Sequence, residues 1–459
     1  MHRHARLLLP LLILICASCA SPAALSSRSP SAERVKAPIV TSNGALPPRA
    51  AERVVEQRLE DLHDSEHVRE LIDAFRESAA APLVAGNRVT LLVDGPKTLT
   101  AIRNAIESAH HHVHLETYIF ADDEVGRALR DLLIRRRQEG VEVRVLYDAI
   151  GSVTTPAAFF EPMRQAGVEV LQFRPLNPTR TMPWKLNNRD HRKIVVVDGR
   201  VAFTGGINIS STYASSSSLR PGPKNGQEEA WRDTHVEIEG PAAAQFQTLF
   251  VKIWERAGGK LSDASAQYFP PLAPGGAELV AAVASSGGDR HETTIYDTYV
   301  AAIGHASSRL WMTQAYFAPD PALRQALIAA ARRGVDVRVI VPSFSDSALI
   351  FHASRADYDE LLAGGVRIYE QRYAMLHAKS MVIDSALSMV GSANFDIRSF
   401  LHNNEVNAVV VGSEFAERME ALFQRDLGDT RELQLKSWRK RPWLDRFKEL
   451  TSSLFSYWL

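Results

Sequence analysis

The stretch NRDHRKIVVVDGR, residues 188–200, combines a predicted buried strand with charged residues at both ends. Four consecutive apolar residues in its middle predict the strand. His191 and Lys193 stand at the entrance of this strand, and Asp198 closes it. The stretch LHAKSMVIDSAL, residues 376–387, repeats the arrangement later in the chain. Two copies of one charged strand indicate an internal duplication.

The spacing within and after each copy supports this duplication. The second copy holds His377, Lys379 and Asp384 at the intervals of the first, 186 residues downstream (377 − 191). In both copies a glycine follows the histidine by 14 residues (205 − 191; 391 − 377) and an asparagine by 17 (208 − 191; 394 − 377). These residues are Gly205, Gly391, Asn208 and Asn394.

The residues before each motif predict the same alternation of strands and helices. Segments 111–148 and 307–342 each give a strand, a turn, a helix ending near a glycine and a second strand. An amphipathic helix precedes each segment. This order predicts an α/β fold with a largely parallel or mixed sheet and helices packed on it. Two such units suggest a pseudo-two-fold pair that shares one interface.

The motif residues suit the chemistry of a phosphodiester. Side chains alternate faces along a strand, so His191 and Lys193 project to the same side, as do His377 and Lys379. If the two sets converge, the lysines hold phosphate oxygens and the two asparagines add neutral donors. One imidazole can attack phosphorus to form a phosphohistidine, and the other can protonate the leaving alcohol.

Four carboxylates accompany the motifs, in two pairs. Asp198 and Asp384 sit where the motif strand turns into the next strand, which favours a structural role in a hairpin. Asp233 and Glu405 each stand at the start of the next apolar strand of their half. A nucleophilic imidazole needs a fixed tautomer, which a carboxylate usually supplies. The second pair therefore predicts the groups that orient the histidines.

The paired motifs form the double H-x-K-x-x-x-x-D signature of the phospholipase D superfamily, and more narrowly the chain resembles bacterial cardiolipin synthases. The stretches NNRDHRKIVVVDGRVAFTGGINIS and LHAKSMVIDSALSMVGSANFDIRSFLHNNEVNAVVV carry the resemblance. LLVDGPKTLTAIRNAIESA and AYFAPD add to it, so it covers roughly residues 86–430. Two motifs at equal spacing inside duplicated units make the signature highly specific.

The resemblance implies two phospholipase D-like α-β-α sandwich units around one shared active site. It also implies metal-independent transfer of a phosphatidyl group through a phosphatidyl-histidine, with no cofactor. By this resemblance the nucleophile is His191 and the general acid is His377. The catalytic signature comprises His191, Lys193, Asp198, His377, Lys379 and Asp384, with Asn208 and Asn394 on the phosphate and Asp233 and Glu405 on the histidines.

The composition narrows the class of protein. The chain has 459 residues, of which 45% are hydrophobic, so it is long enough for two or three domains with real cores. Its 53 basic and 53 acidic residues cancel, which does not suggest nucleic acid as a partner. The histidines at 110–112 and 114 lack carboxylates at ligand spacing, so packed or solvated residues are a better interpretation than a metal site.

The N-terminus has the pattern of an export signal. Arg3 and Arg6 precede an apolar run at 7–15, followed by small residues. The run is short for a transmembrane helix. The following CASC resembles a bacterial lipobox with Cys19 as the acylated residue, although Cys16 occupies a position where an aliphatic residue is usual. Acylation of Cys19, plain cleavage near residue 20 and an uncleaved anchor remain alternatives. The predicted location is the cell envelope, on the periplasmic face of a membrane.

The predicted organisation has six parts. They are a signal or lipoprotein-like segment at 1–20, a spacer and N-terminal helical segment at 21–85, a first unit at 86–260 with its motif at 191–198, a linker at 261–285, a second unit at 286–430 with its motif at 377–384, and a tail at 431–459. Ordered structure is expected to begin at about Gly86.

The tail predicts an amphipathic helix at a membrane interface. Its large apolar residues follow helical spacing among several cations, namely Trp443, Phe447, Leu450, Leu454 and Trp458. The same helix could instead dock on its own domain.

The function predicted from these features is that of an exported, membrane-associated cardiolipin synthase. Its partners would be phospholipids, with phosphatidylglycerol as donor, and a membrane surface. A hydrolytic phospholipase D is the alternative enzyme, because the motifs do not decide whether water or a lipid alcohol accepts the group. A nuclease and a catalytically silent lipid-binding protein are weaker alternatives.

Overall fold

A computed structural model of the chain describes residues 36–59, 65–79, 81–176, 187–217, 230–261, 267–287 and 292–455. The predicted signal segment, Cys19 and most of the spacer lie outside these residues. Export and acylation therefore stay predictions.

The described residues form short strands and helices in alternation. The strands are β1 (Ile39–Thr41), β2 (Gly44–Ala45), β3 (Leu83–Val93), β4 (His112–Thr117), β5 (Glu142–Asp148), β6 (Glu169–Phe173), β7 (Ile194–Val197), β8 (Val201–Gly205), β9 (Trp231–Arg232), β10 (Thr234–Glu239), β11 (Glu278–Ser285), β12 (Arg309–Gln314), β13 (Phe317–Ala318), β14 (Asp336–Pro342), β15 (Arg367–Gln371), β16 (Met375–Leu376), β17 (Lys379–Ile383), β18 (Leu387–Gly391), β19 (Phe395–Asp396), β20 (Glu405–Val411) and β21 (Thr430–Glu432). The helices are α1 (Pro48–Leu59), α2 (Ser65–Ser78), α3 (Asp94–Glu107), α4 (Glu124–Gln138), α5 (Ala157–Gln165), α6 (Ala243–Arg256), α7 (Thr294–His305), α8 (Pro321–Arg332), α9 (Ala348–Ala356), α10 (Tyr358–Ala363), α11 (Ser413–Leu427), α12 (Leu435–Trp438) and α13 (Trp443–Ser453).

The two halves of the chain have the same strand order. In the first, the strands pair in the order β3-β10-β8-β7-β4-β5-β6. In the second, the order is β11-β20-β18-β17-β12-β14-β15, and β21 adds at the outer edge. The strands β4, β5 and β6 are parallel to one another, as are β12, β14 and β15. The other neighbours in the two orders are antiparallel. The predicted duplication and mixed sheet are confirmed.

The two sheets join through their equivalent first strands. β3 pairs with β10 along residues 88–93 and with β11 at its other end, antiparallel in both cases. This shared strand places the two motif strands on either side of one interface.

Both faces of each sheet are covered, which explains the unbroken apolar run of the motif strand. In β7, Val195 and Val197 pack against the cluster that contains α3, α4 and α5. Ile194 and Val196 point the other way, into a cluster that contains α6 of this half and α11 of the other. This central cluster also holds strand residues from both sheets, so it is the core of the interface between the units.

The N-terminal boundary corrects the expectation that order begins near Gly86. β1 pairs in parallel with β3, and α1 and α2 contribute Val55, Leu71 and Phe75 to the core of the second unit. The described residues between 36 and 79 therefore belong to the folded body, because β1, α1 and α2 bury apolar side chains in it.

Two other boundaries also differ from the sequence-based expectation. β11 occupies residues assigned to the linker, and it is the first strand of the second unit, equivalent to β3 of the first. β21 occupies the start of the predicted tail and pairs with β15. Within the described part of the chain, none of the helices combines the length and the apolar character needed to cross a bilayer.

The tail helix α13 is amphipathic, as predicted, but it docks on α9 through its polar side. Glu449 and Ser452 are buried against the protein. The apolar face of α13 is exposed and comprises Trp443, Leu444, Phe447, Leu450 and Leu454. Trp458 lies outside the described residues.

Candidate active site

The two motif entrances are held by backbone contacts from the opposite half. The amide of His191, before β7, donates to the carbonyl of Asn404 at 3.0 Å. The amide of His377, before β17, donates to the carbonyl of Arg232 at 2.8 Å. His191 is thus positioned by the segment before β20 and His377 by the segment before β10, each in the opposite half, and the two predicted motifs meet at one interface.

The predicted orienting carboxylates bond to the histidines in a crossed arrangement. Nδ1 of His191 lies 3.0 Å from Oε1 of Glu405, a residue of the second half. Nδ1 of His377 lies 2.8 Å from Oδ2 of Asp233, a residue of the first half. All four side chains are largely or fully buried. The pairing across 214 and 144 residues requires both halves for either histidine to be oriented.

Further donors fix each carboxylate. Glu405 accepts from the hydroxyl of Ser392 at 2.5 Å and from the side-chain Nδ2 of Asn403 at 3.2 Å. Asp233 accepts from the backbone N–H of Thr234 at 2.7 Å. Carboxylates held in this way favour the Nδ1–H tautomer of their imidazole, which leaves the lone pair on Nε2. Nε2 is therefore the reactive nitrogen of each ring.

The two motif lysines occupy matching positions. Nζ of Lys193 donates to the carbonyl of His191 at 2.6 Å, and Nζ of Lys379 donates to the carbonyl of His377. Burial lowers the pKa of Lys193 to about 7 and that of Lys379 to about 8, and the charge of Lys379 further lowers the pKa of Lys193. Two poorly solvated ammonium groups of this kind form a site for an anion. The negative charge of a bound phosphate replaces the stabilisation by water that the ammonium groups lose on burial.

The histidines are both shifted toward the neutral form, for the same main reason. Burial holds the pKa of His191 well below its ordinary value, and the charges of Lys193 and Lys379 add to the effect. Burial and Lys379 also lower the pKa of His377, although Asp233 opposes this shift. An unprotonated imidazole is the form that can attack phosphorus.

The two carboxylates differ in their electrostatic setting. Burial raises the pKa of Glu405 to about 7, against the opposing charge of Lys193. Burial also acts on Asp233, but His377 and Lys379 outweigh it and lower the pKa of this carboxyl. Asp233 is therefore more readily ionised than Glu405, and it is the better partner for a histidine that must carry a proton.

The two predicted phosphate-binding asparagines are buried beside the motifs. Asn208 is engaged on both sides: its Oδ1 accepts from the amide of Ile119 at 3.2 Å, and its Nδ2 donates to the Tyr213 hydroxyl at 2.9 Å. Asn394 is nearly buried, and its Oδ1 has no hydrogen-bond partner. The contacts of Asn208 fit a positioning role at least as well as direct binding of phosphate.

Three aromatic residues in the site were not predicted from the sequence. The hydroxyl of Tyr213 lies 3.4 Å from Nδ1 of His377, and the Trp231 ring centroid is 5.3 Å from that of the same imidazole. Tyr118 contacts His191 edge-on at 4.9 Å. No motif marks these residues, and only proximity to the motif asparagine could have singled out Tyr213.

Asp198 and Asp384, which complete the family signature, do not reach the site. Each stands at the far end of its motif strand and accepts backbone N–H groups at the start of the first parallel strand. The three distances to Asp198 are 2.8, 2.8 and 2.9 Å. The catalytic assignment of these two residues is therefore corrected to a structural one, in agreement with their predicted hairpin position.

The histidine cluster is part of the packing of the first unit. His112 and His114 are buried, and both contact the side-chain amide of Gln247 on α6. Burial lowers the pKa of His112 to about 3, so this ring is neutral. Across the described ranges, no group of three or more His, Cys, Asp or Glu side chains could hold a metal ion.

Comparison with known proteins gives the family. A family model described as "Cardiolipin synthase, PLD-like domain" matches residues 102–254 and 299–427, one segment in each half. The chain belongs to this family. Among members of the cardiolipin synthase family, one from Geobacillus sp. (strain WCH70) is 35% identical over 408 residues, which cover 87% of this chain and 78% of the relative. Cardiolipin synthase 2 of Bacillus cereus is 38% identical over 370 residues, 80% of this chain and 69% of the relative.

A solved structure supports the fold. Phosphatidylserine synthase of Haemophilus influenzae superposes with a TM-score of 0.65, covering 86% of this chain and 100% of that chain. The identity is 14%, so this likeness concerns the fold alone. The expectation of two phospholipase D-like units is confirmed.

Proposed function

We propose that the protein is a cardiolipin synthase. It transfers the phosphatidyl group of phosphatidylglycerol to a hydroxyl of a second phospholipid and releases glycerol. The observation that carries the proposal is the pair of buried histidine–lysine sets, each oriented by a carboxylate of the opposite half. Relatives named cardiolipin synthases align along most of the chain.

In the first step Nε2 of His191 attacks phosphorus of the donor lipid. The bond from phosphorus to the glycerol headgroup oxygen breaks, and His377, which enters this step with a second proton on Nε2, gives that proton to the oxygen. The negative charges of the bound phosphate and of Asp233 favour this protonated form of His377. Lys193 and Lys379 bind the phosphoryl oxygens and balance the charge that builds on them. The products are free glycerol and a phosphatidyl-histidine.

In the second step the roles of acid and base reverse. His377, now neutral, takes the proton of the acceptor hydroxyl. The acceptor oxygen attacks phosphorus, the P–N bond breaks, and His191 returns to its neutral form. Over the two steps two phospholipids enter and glycerol and cardiolipin leave, so atoms and protons balance without a cofactor or metal.

The assignment of nucleophile and acid has support from the electrostatics. His191 has the more strongly lowered pKa, which keeps its nitrogen free to attack. His377 faces Asp233, the carboxyl with the lowered pKa, and this anion favours a proton on the imidazole. The same assignment follows from the family resemblance.

We also propose that the protein is exported and works at a membrane surface of the cell envelope. The apolar N-terminal segment with its preceding arginines supports export, and the CASC sequence supports acylation at Cys19. Cys19→Ser followed by mass analysis of the mature chain separates acylation from plain cleavage.

A product assay tests the proposed reaction. The purified full-length chain is mixed with phosphatidylglycerol vesicles and excess chelator, and the lipids are analysed by mass. Cardiolipin with an equal amount of glycerol is the expected result. Phosphatidic acid without cardiolipin would assign the hydrolytic alternative, which no contact among the described residues of the site favours. His191→Ala is the control, and full turnover by this variant would overturn the mechanism.

A further inference from the structure

The apolar face of α13 is turned away from the protein. Trp443 is 76% exposed, Leu450 64% and Leu454 71%. In a helix of a water-soluble domain the apolar side normally faces the core. Here the exposed side is the apolar one, although the helix is docked.

A buried polar network fixes this orientation. Glu449, on the inward side of α13, pairs with Arg441 and lies 3.6 Å from Arg355 of α9. Arg355 also pairs with Glu370 of β15. Both arginines also lie over the ring of Trp438, at 4.7 Å for Arg355 and 4.2 Å for Arg441. Because these charged contacts hold the polar side of α13 against the protein, the apolar side of α13 faces outward.

The network places α13 at the edge of the sheet that carries the active site. This edge, here called the carboxyl edge, is where β5, β14 and β15 end and where β7 and β17 begin. Glu370 is the last residue but one of β15. α9 begins directly after Ser347, and the preceding Asp346 accepts from the hydroxyl of Tyr316 at 2.7 Å, just beyond the end of β12.

Other exposed apolar residues follow the same edge in both units. Val153, after β5 of the first unit, is 62% exposed. In the second unit Leu349 follows β14 and Tyr373 follows β15, and both are exposed. By contrast, the exposed Phe269 lies at the opposite edge, since Tyr268 beside it packs on Gly199 in the turn after β7.

We propose that the apolar face of α13 and the carboxyl edge form the surface by which the protein rests on a bilayer that contains anionic phospholipids. The inference rests on the proposed function in that the substrate is a lipid of that bilayer. Docking on this surface brings the shared site to the headgroups, and α13 supplies most of the apolar anchor.

The charges beside α13 favour a bilayer over a second copy of the chain. Lys440, Arg446 and Lys448 are exposed next to the apolar face. Lipid phosphates complement these cations, and each cation near an anionic surface adds roughly 1 kcal/mol of attraction. A symmetric pair of α13 helices would instead bring like charges together.

Vesicle flotation tests the surface directly. The variant Trp443→Ser/Phe447→Ser/Leu450→Ser is compared with wild type and with the control Phe269→Ser, on vesicles of phosphatidylcholine with or without phosphatidylglycerol. We expect the triple variant to lose about tenfold or more of its binding and the control to bind like wild type. Lys440→Gln/Lys448→Gln should weaken binding only where phosphatidylglycerol is present. Equal binding by wild type and the triple variant would overturn the proposal.

A soluble substrate separates this proposal from the proposed function. On dispersed short-chain phosphatidylglycerol the triple variant should turn over like wild type, whereas on vesicles it should lose activity with its binding. Loss of turnover on the dispersed lipid would give α13 a role inside the site and would overturn the proposal. A wild-type protein that floats with vesicles but turns over neither lipid would refute the synthase while supporting the surface.

A labelling experiment covers a triple variant that fails to fold. The chain has two cysteines, Cys16 and Cys19, so replacing both with serine leaves a cysteine-free background without an acyl anchor. An environment-sensitive fluorophore on Leu450→Cys should shift to the blue on anionic vesicles, and one on Phe269→Cys should not. A shift that instead follows protein concentration without vesicles would assign the face to a second copy and overturn the proposal.

Discussion

The two halves of the active site share one frame but differ in the groups that line it. Each supplies a histidine and a lysine at the entrance of an equivalent strand, and each lends a carboxylate to the opposite histidine. The carboxylate that serves His191 is a glutamate with a raised pKa, and the one that serves His377 is an aspartate with a lowered pKa. Tyr213 and Trp231 contact only the second of these histidines among the described ring contacts.

This difference shows how a duplicated fold can divide labour. The backbone of the two sheets fixes the position of each imidazole, and the carboxylate from the opposite half influences its tautomer and its pKa. Because the partners are crossed, a change in one half is expected to alter the chemistry of the other half's histidine.

The largest expected effect separates nucleophile from acid. His191→Ala should lower turnover of phosphatidylglycerol by about 10⁴-fold or more, and His377→Ala by about 10³-fold or more. A phosphatidyl ester of p-nitrophenol, whose leaving group needs no proton, should distinguish them. His377→Ala should release one p-nitrophenol per enzyme in a burst and accumulate phosphatidyl-enzyme, measured by absorbance and intact mass. A burst with His191→Ala, and none with His377→Ala, would reverse the roles.

The crossed carboxylates should reproduce that pattern at smaller size. Asp233→Asn and Glu405→Gln remove the charge that orients each imidazole, and each should lower turnover by about 10²-fold. If the crossing governs chemistry, Asp233→Asn keeps its burst on the p-nitrophenyl ester and Glu405→Gln loses it. A burst with Glu405→Gln and none with Asp233→Asn would mean that each carboxylate acts on the histidine of its own half.

The lysines should show a trade between binding and stability. Lys193→Met should raise KM for the donor by about tenfold, because one phosphate contact is lost, yet stabilise the unliganded fold by about 2 kcal/mol. Between pH about 7 and the ordinary value of 10.5 the unfolded chain holds more protons on this lysine than the folded chain. Lys193 therefore lowers the free energy of unfolding of the wild-type protein by the full amount below pH 7, and by progressively less as the pH rises above 7.

Thermal unfolding across pH measures this effect. The gap in Tm between wild type and Lys193→Met should shrink above pH 7, and for Lys379→Met it should begin to shrink about one pH unit later, above about 8. The exposed Lys97→Met is the matched control, with no change in the gap expected. A gap that widens with pH would contradict the assigned direction of the shift.

The smallest effect on catalysis is expected at the signature aspartates. Asp198→Asn and Asp384→Asn retain a left-handed turn that Asn tolerates, but they weaken the bonds to three backbone N–H groups. We expect a loss of about 2 kcal/mol in the free energy of unfolding for each, with kcat per folded molecule unchanged. Urea denaturation and an active-site titration by p-nitrophenol burst measure the two quantities. A large loss of kcat in a folded variant would restore these residues to the catalytic set.

Several features of the site could be predicted from the sequence because they are periodic or repeated. The strand parity of His191 and Lys193, the matched intervals in the second copy and the hairpin role of Asp198 all depend on residues close in the chain. Boundaries were less predictable. β11 lies in a stretch next to a Pro/Gly-rich segment that predicts a linker, and it becomes a strand only because β3 and β20 pair with it.

The duplication, the residue types of both motifs and the two candidate orienting carboxylates follow from the amino-acid sequence. The folded arrangement of the two sheets establishes which carboxylate bonds to which histidine, that Tyr213 and Trp231 lie beside His377, and that the apolar face of α13 points outward. The first set follows from local periodicity and spacing. The second depends on contacts between residues far apart in the chain, such as the 214 residues that separate His191 from Glu405, and these form only when the two sheets join at β3 and β11.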